Sequence, residues 1–272
     1  MDVGASAAAV IAILMLCEVV YTVARKGAPA LSFTFLTRNG AGLASGGGIA
    51  NALIGTAAIV AFAAVIAVPI GIFTGLYLTE FAGRRSPSAR VLKLVLDMLQ
   101  GLPTIVVGIV VYGLIVVPEH RESGFAGAVA LSIIMLPIIA RSSQEVLLLV
   151  PNSLREGADA LGVQRWRTVV GVILPAAAGG IATGAILSIA RASGETAPLL
   201  IVNSIFNPTS TQLMIFGHGV PSIPMYIWST YDLPSTTAIA QTWGAAFVLL
   251  LFILLANVGA RVLLARTRRI PT

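Results

Sequence analysis

Arg191 and Glu195 are the residues whose types and spacing most plainly invite chemistry. They stand four apart in "IARASGETAPLL", on one helix face inside an apolar run. A charge at the centre of a membrane helix costs roughly 2.5–3.5 kcal/mol on insertion scales, and opposite charges at this spacing can pair and lower that cost. Two readings stand: an internal ion pair that fixes helix packing, or a polar point on a substrate path. An arginine fork suits an oxyanion such as phosphate or sulfate, and an entering dianion would compete with Glu195 for it. Ser193 and Thr196 add hydroxyls beside the pair, and Gly194 and Pro198 weaken the helix there. Arg141, at the end of "LPIIAR", is either a second cation on the same path or an anchor at the cytoplasmic interface. Nothing points to catalysis or to a metal. Cys17 is the single cysteine, and His120 and His218 lie far apart in connecting segments. No GxxxxGK[ST] occurs, so the chain has no P-loop with which to cradle nucleotide phosphates.

The elements that must position these residues follow from composition. Of 272 residues, 57% are hydrophobic and only 10% charged, where a soluble domain carries about a quarter. The apolar runs are continuous and long enough to cross a bilayer, so the fold class is an all-α membrane protein. Six transmembrane helices are expected at about 4–24, 51–79, 91–117, 125–147, 176–203 and 237–263. The first lacks the basic flank of a signal peptide and reads as a retained helix. Gly71 and Gly75, and Gly180 and Gly184, form spacings that let helix backbones approach. Pro69, Pro103 and Pro137 interrupt three spans. In "QGLPTIVVG", Gly101 and Pro103 place a break near the start of the third: a tolerated kink, or unwound backbone beside a pathway.

The net charge of +6 reflects basic cytoplasmic loops rather than an affinity for nucleic acid. Arg84, Arg85, Arg90 and Lys93, then Arg141, Arg155, Arg165 and Arg167, then Arg261, Arg266, Arg268 and Arg269 fall on one side of six spans. Arg25, Lys26, Arg38 and Arg121 fall on the other. Twelve against four puts both termini in the cytoplasm, with Arg25 and Lys26 against the local trend. Asp97 reads as structural, beside Lys93 four residues back. Glu18 has no evident partner. Tyr226, Trp228 and Tyr231 in "MYIWSTY" read as an outer aromatic belt, or more sharply as a docking surface for an external protein.

One segment, Ser153 to Pro175, looks soluble. Ser153 and Glu156 have the spacing of a capping box. A short helix follows from Leu154 to Leu161, with Gly162 as its left-handed stop. A second amphipathic piece, about 164–173, leads to Pro175 in the first turn of the fifth span. Leu154, Ala158 and Leu161 share one face, which an idle solvated connector does not need.

"EGADALGVQRWRTVVGVILP" resembles the cytoplasmic EAA loop of ATP-binding-cassette importer permeases. That pattern is Glu-Ala-Ala, three residues, Gly, nine residues, then Ile-x-Leu-Pro. Here it reads Glu156, Gly157, Ala158, Gly162, Val172, Leu174 and Pro175, with Gly157 and Val172 as the departures. Gly157 should cost about 1 kcal/mol of helix propensity relative to alanine. The resemblance implies a type I importer permease whose short helix docks on a separate ATPase through Leu154, Arg155, Glu156, Gly157, Ala158, Leu161 and Gly162.

"GLPTIVVG", "ARASGETAPLL" and "YDLPSTTAIAQTWGAAFVLL" are similar to the permeases of the phosphate-specific importer, from about residue 50 to the end. The run Ala197-Pro198-Leu199-Leu200 leans toward the A-type subunit. What this implies is a heterodimer with a C-type permease, two copies of a cytoplasmic ATPase that uses ATP and Mg, and an extracytoplasmic phosphate-binding protein. This chain itself would bind no cofactor. Arg191 and Arg141 would be suited to contact the translocating phosphate. The organisation expected is a first helix and outer loop over 1–48, a transmembrane domain over 49–264 carrying the loop 151–175, and a basic tail over 265–272. A permease for sulfate or molybdate, or an ion-coupled secondary transporter, remains an alternative.

Overall fold

A glycine pair on each of two spans keys them to a third. The computed structural model describes residues 2–40, 47–83, 86–204 and 215–267. Among these, five helices are long and apolar enough to cross a membrane: Gly4–Ala30, Ala50–Phe81, Gly124–Leu148, Arg165–Ala192 and Thr236–Val262. A bent pair, Pro87–Gly101 and Thr104–Glu119, makes a sixth when counted as one span. In chain order these are the first, second, fourth, fifth, sixth and (bent) third spans.

The fourth span is the hub, the most deeply buried of the set. The second packs on it where a side chain at Gly71 would strike Ile139 and one at Gly75 would strike Ser143. The fifth packs on its other side, Gly180 against Val146 and Gly184 against Ser142. Both small-residue spacings therefore act as helix-packing seams, with no room for a methyl group. Ile59, Ala63, Leu131, Met135 and Ile139 fill the centre of this core. Pro69 and Pro137 lie inside continuous helices, so only Pro103 breaks its span.

The third span, read as 91–117 with a break at Gly101 and Pro103, is broken there and begins earlier, at Pro87. Its two halves meet at 105° across Leu102 and Pro103. Pro103 lacks an amide hydrogen and holds Leu102 in extended backbone, ending the first half. That half is amphipathic, with Val91, Leu94, Val95 and Met98 exposed along one stripe.

The fifth span also differs. The piece expected as a separate surface segment at 164–173 is its first part. A helical path runs from Arg165 through a five-residue π-turn, Val169–Ile173, into Leu174–Ala192. The wider turn precedes Pro175 and accommodates a residue that cannot donate. The span stops at Ala192 rather than 203. Ser193 and Gly194 turn the chain, and a short helix, Ala197–Val202, folds back against Thr104–Val111, where Gly108 admits Pro198.

The connection between the fifth and sixth spans seats itself on the second and sixth. Thr56 accepts from the Ile223 amide at 2.8 Å, and Gly55 leaves room for the Pro221 carbonyl. Asn203, fully buried, bonds both the amide and the carbonyl of Val220 at 2.8 Å. Lys26 stands over the Trp243 ring, 4.5 Å from its centroid. That cation–π contact ties the first span to the sixth and gives a local reason for a cation against the charge trend. Arg84, Arg85, Arg268 and Arg269, counted in the orientation argument, lie outside the described residues, as does most of the tail 265–272.

Candidate functional site

Arg191 sits in the last turn of the fifth span, where the chain is about to turn back. Its side chain is 66% exposed, and Nε lies 3.9 Å from Glu195 Oε1. The pair expected from the four-residue spacing is present, but as a loose contact at the end of a helix. Ser193 is buried, and its hydroxyl donates to the Ile189 carbonyl at 2.8 Å, closing the last turn. Thr196 precedes the folded-back helix.

Arg191 lines a cavity of about 360 Å³ with Gln100, Leu102, Thr104, Pro137 and Ile138. The break at Gly101–Pro103 thus lies beside the arginine, although some 90 residues separate them in the chain. Unwound backbone at membrane depth is tolerated where it lines a cavity. Among apolar walls the cavity presents a cation, a carboxamide and a hydroxyl, donors matched to an oxyanion.

Arg141 lies three residues beyond Ile138 on the fourth span, about one helical turn (~5 Å) further toward the polar loop. It bonds the carboxylate of Asp97 and, at 3.3 Å, the Gln144 amide oxygen. Asp97 therefore pairs with Arg141 on another span, where sequence spacing had suggested Lys93. Arg141 on the fourth span and Arg191 at the end of the fifth therefore each face a carboxylate. Glu18 also has a partner, accepting from the Thr22 hydroxyl at 3.1 Å.

The polar loop is built around the helix Asn152–Ala160. The expected capping box between Ser153 and Glu156 does not form. Pro151 occupies the N-cap, so the helix starts two residues early and Ser153 falls inside it. The other end is as expected. Gly162 has φ +68°, its amide donates to the Asp159 carbonyl at 3.0 Å, and that of Val163 to the Ala158 carbonyl at 3.1 Å. This is a Schellman stop. Leu154 is 41% exposed and Leu161 82%. With Glu156 and Gly157 also exposed and Ala158 half-buried, they form an uncovered surface.

Arg155 does not join that surface. It turns inward to Glu80, Nη2 to Oε1 at 2.7 Å and Nε at 3.2 Å, and donates to the carbonyls of Val150 at 2.7 Å and Leu147 at 2.9 Å. Glu80 is only 2% exposed. Sequence reading missed Glu80 because its partner lies 75 residues away, and the one signal was an acid at the end of an apolar run.

In the connection between the fifth and sixth spans, Tyr226 points inward, donating to Gln241 Oε1 at 3.2 Å, and burial pushes its phenol up to about 12. Trp228 and Tyr231 stay exposed, their ring centroids 5.6 Å apart. The aromatic cluster read from "MYIWSTY" is therefore split between core and surface.

Comparison with known proteins bears on this geometry. The family of binding-protein-dependent transport system inner membrane components matches residues 67–269. The Haemophilus influenzae phosphate transport system permease protein PstA is 38% identical over 254 residues, covering 93% of this chain and 88% of that protein. PstA 1 of Mycobacterium tuberculosis is 40% identical over 230 residues, covering 83% and 73%. Among solved structures, a chain of the MetNI methionine ABC transporter in an inward-facing conformation superimposes with a TM-score of 0.61 at 19% identity. The match covers 80% of this chain and 94% of that one, a likeness of fold alone.

Proposed function

We propose a function for this chain from one premise: it belongs to the binding-protein-dependent transport system inner membrane components, and within them to the PstA-type permeases. It is the membrane-spanning permease subunit of an inorganic phosphate importer, with the six-span architecture of a type I importer. The observation that carries the substrate reading is Arg191 facing a polar cavity beside the broken third span. A phosphate dianion entering there meets the guanidinium, displaces the loosely held Glu195, and is offered Arg141 one turn further on. Two paired cations make binding competitive rather than permanent, which a translocation path requires.

The sequence carries no GxxxxGK[ST], and in this reading the driving force comes from a partner ATPase, which would use ATP and Mg. The uncovered face of Asn152–Ala160, with Leu154, Glu156, Gly157, Ala158 and Leu161, is the surface offered to it. A heterodimer with a C-type permease, two ATPase copies and an external phosphate-binding protein completes the reading, with Trp228 and Tyr231 on the outer side. Both termini are cytoplasmic. Alternating access follows when the ATPase dimer closes and displaces the surface helices.

Uptake of labelled phosphate into proteoliposomes holding the purified complex tests this. Uptake should require ATP and should resist competition by sulfate and molybdate. Uptake indifferent to ATP, or stronger for sulfate, would overturn it.

A further inference from the structure

We infer that Glu80 and Arg155 form the joint through which movement of the surface helix Asn152–Ala160 reaches the second span. The inference rests on the coupling role proposed for that helix and adds the member it pulls on.

Among the described residues, Arg155 is the only side chain of this helix that hydrogen bonds outside it. Its guanidinium grips three elements at once. It holds the Glu80 carboxylate at the end of the second span, the Leu147 carbonyl in the last turn of the fourth, and the Val150 carbonyl just past that span's end. Its other attachments are the covalent chain, through Pro151 on one side and the turn at Gly162 on the other, and packing against Arg165–Thr168. Leu161 faces outward and Leu154 is partly exposed.

The bond is built not to slip. Glu80 is 2% exposed, and a buried carboxylate stripped of its cation is left uncompensated, so the pair stays closed as the helix moves. The planar fork reaches one carboxylate through two nitrogens, which fixes direction as well as distance. Glu80 lies in a π-turn, Tyr77–Phe81, that ends the second span. That span is keyed to the fourth at Gly71 and Gly75, and the fourth to the fifth at Gly180 and Gly184. A pull on Glu80 therefore reaches both the span bearing Arg141 and the span bearing Arg191. Arg155 and Glu80 are positioning residues: they touch no substrate and act through the packing.

A cleft of about 650 Å³ beside the pair is lined by both residues, which opens the joint to chemical repair. In the reconstituted complex, ATP hydrolysis and phosphate uptake are measured together. Glu80→Gln should assemble and hydrolyse ATP, while uptake per ATP falls at least tenfold. A ratio within twofold of the parent overturns the joint.

The second arm replaces both residues with cysteine (Glu80→Cys, Arg155→Cys) in a Cys17→Ser background and bridges them with a short bis-maleimide. Bridging should restore most of the uptake per ATP. Complete bridging, checked by mass spectrometry, without restoration overturns the inference.

A third readout does not depend on the substrate: spin-label distances that report ATP-driven movement of the surface helix and of the second span. In Glu80→Gln the helix should still move and the span should not. Both moving as in the parent overturns the joint. A parent complex whose two elements move together but which imports no phosphate sinks the functional reading alone.

Discussion

Arg141 on the fourth span bonds Asp97 on the amphipathic half of the third, one helical turn from the cavity that Arg191 lines. The pair bridges two spans with both side chains part-exposed, so it opens without uncovering a buried charge. Asp97 competes with any anion that reaches Arg141. Its replacement by asparagine keeps the shape and removes the competing charge. Asp97→Asn should bind the transported anion more tightly and release it more slowly. In proteoliposome uptake KM and Vmax should both fall about threefold or more. Unchanged constants would assign the pair to packing alone.

Arg191→Lys keeps the charge and loses the fork. A hydrogen bond to a charged group is worth about 1.5–3 kcal/mol, so loss of one should raise KM for phosphate roughly ten- to a hundredfold. Assembly should be unaffected, because the Arg191 side chain is 66% exposed and its contact with Glu195 is long. Uptake with the parent KM would remove Arg191 from the path.

What the sequence disclosed, and what it hid, divides along range. The glycine seams and the stop at Gly162 are local or periodic signals that appear in the structure where they were read, and the apolar runs do so except at the bounds of the third and fifth spans. The cross-chain pairs were hidden. Nothing near Asp97 names Arg141, and nothing near Glu80 names Arg155, because spacing reports neighbours on one helix only. Proline misled twice. Pro151 displaced the capping box by taking the N-cap itself, while Pro175 sits in the first turn of Leu174–Ala192 as read, but a π-turn joins that helix to the residues before it, so the span starts earlier. The break at Pro103 was legible, but its meaning needed the fold, which sets Arg191 beside it.

The seam between the fourth and fifth spans predicts a steep size dependence. A Cβ on Gly184 would stand 1.7 Å from the Ser142 hydroxyl, whereas one on Gly171 meets nothing within 4 Å. Overpacking of this kind costs about 1–3 kcal/mol. Gly184→Val should lower the unfolding temperature of the purified complex by several degrees, and Gly171→Ala should leave it unchanged. Equal behaviour of the two would show that the spans do not meet as described.

Tyr226 predicts an alkaline limit on the connection that leads into the sixth span. Burial pushes its phenol from 10.0 up to about 12, so the fold favours the protonated form. Unfolded, it ionises near 10. Its contribution is complete below pH 10 and is lost as pH rises toward 12, because the folded state holds the proton longer. Tyr226→Phe should flatten the decline of thermal stability between these values. A decline as steep as the parent's would place the alkaline sensitivity elsewhere.

Gly157 stands in the middle of the surface helix, where the related loops of importer permeases carry alanine. A Cβ there meets nothing within 4 Å, so the fold of this chain does not demand glycine. Glycine in a helix interior costs about 1 kcal/mol relative to alanine, which leaves the helix to be ordered by whatever covers its exposed face. Gly157→Ala should therefore slow amide exchange across Asn152–Ala160 in the permease without its ATPase, by about fivefold. Coupled uptake in the full complex should stay within twofold of the parent. A large loss of uptake with the helix stabilised as expected would mean that the partner's groove closes onto Gly157 too tightly to admit a methyl group. The glycine would then be a docking contact rather than a tolerated departure.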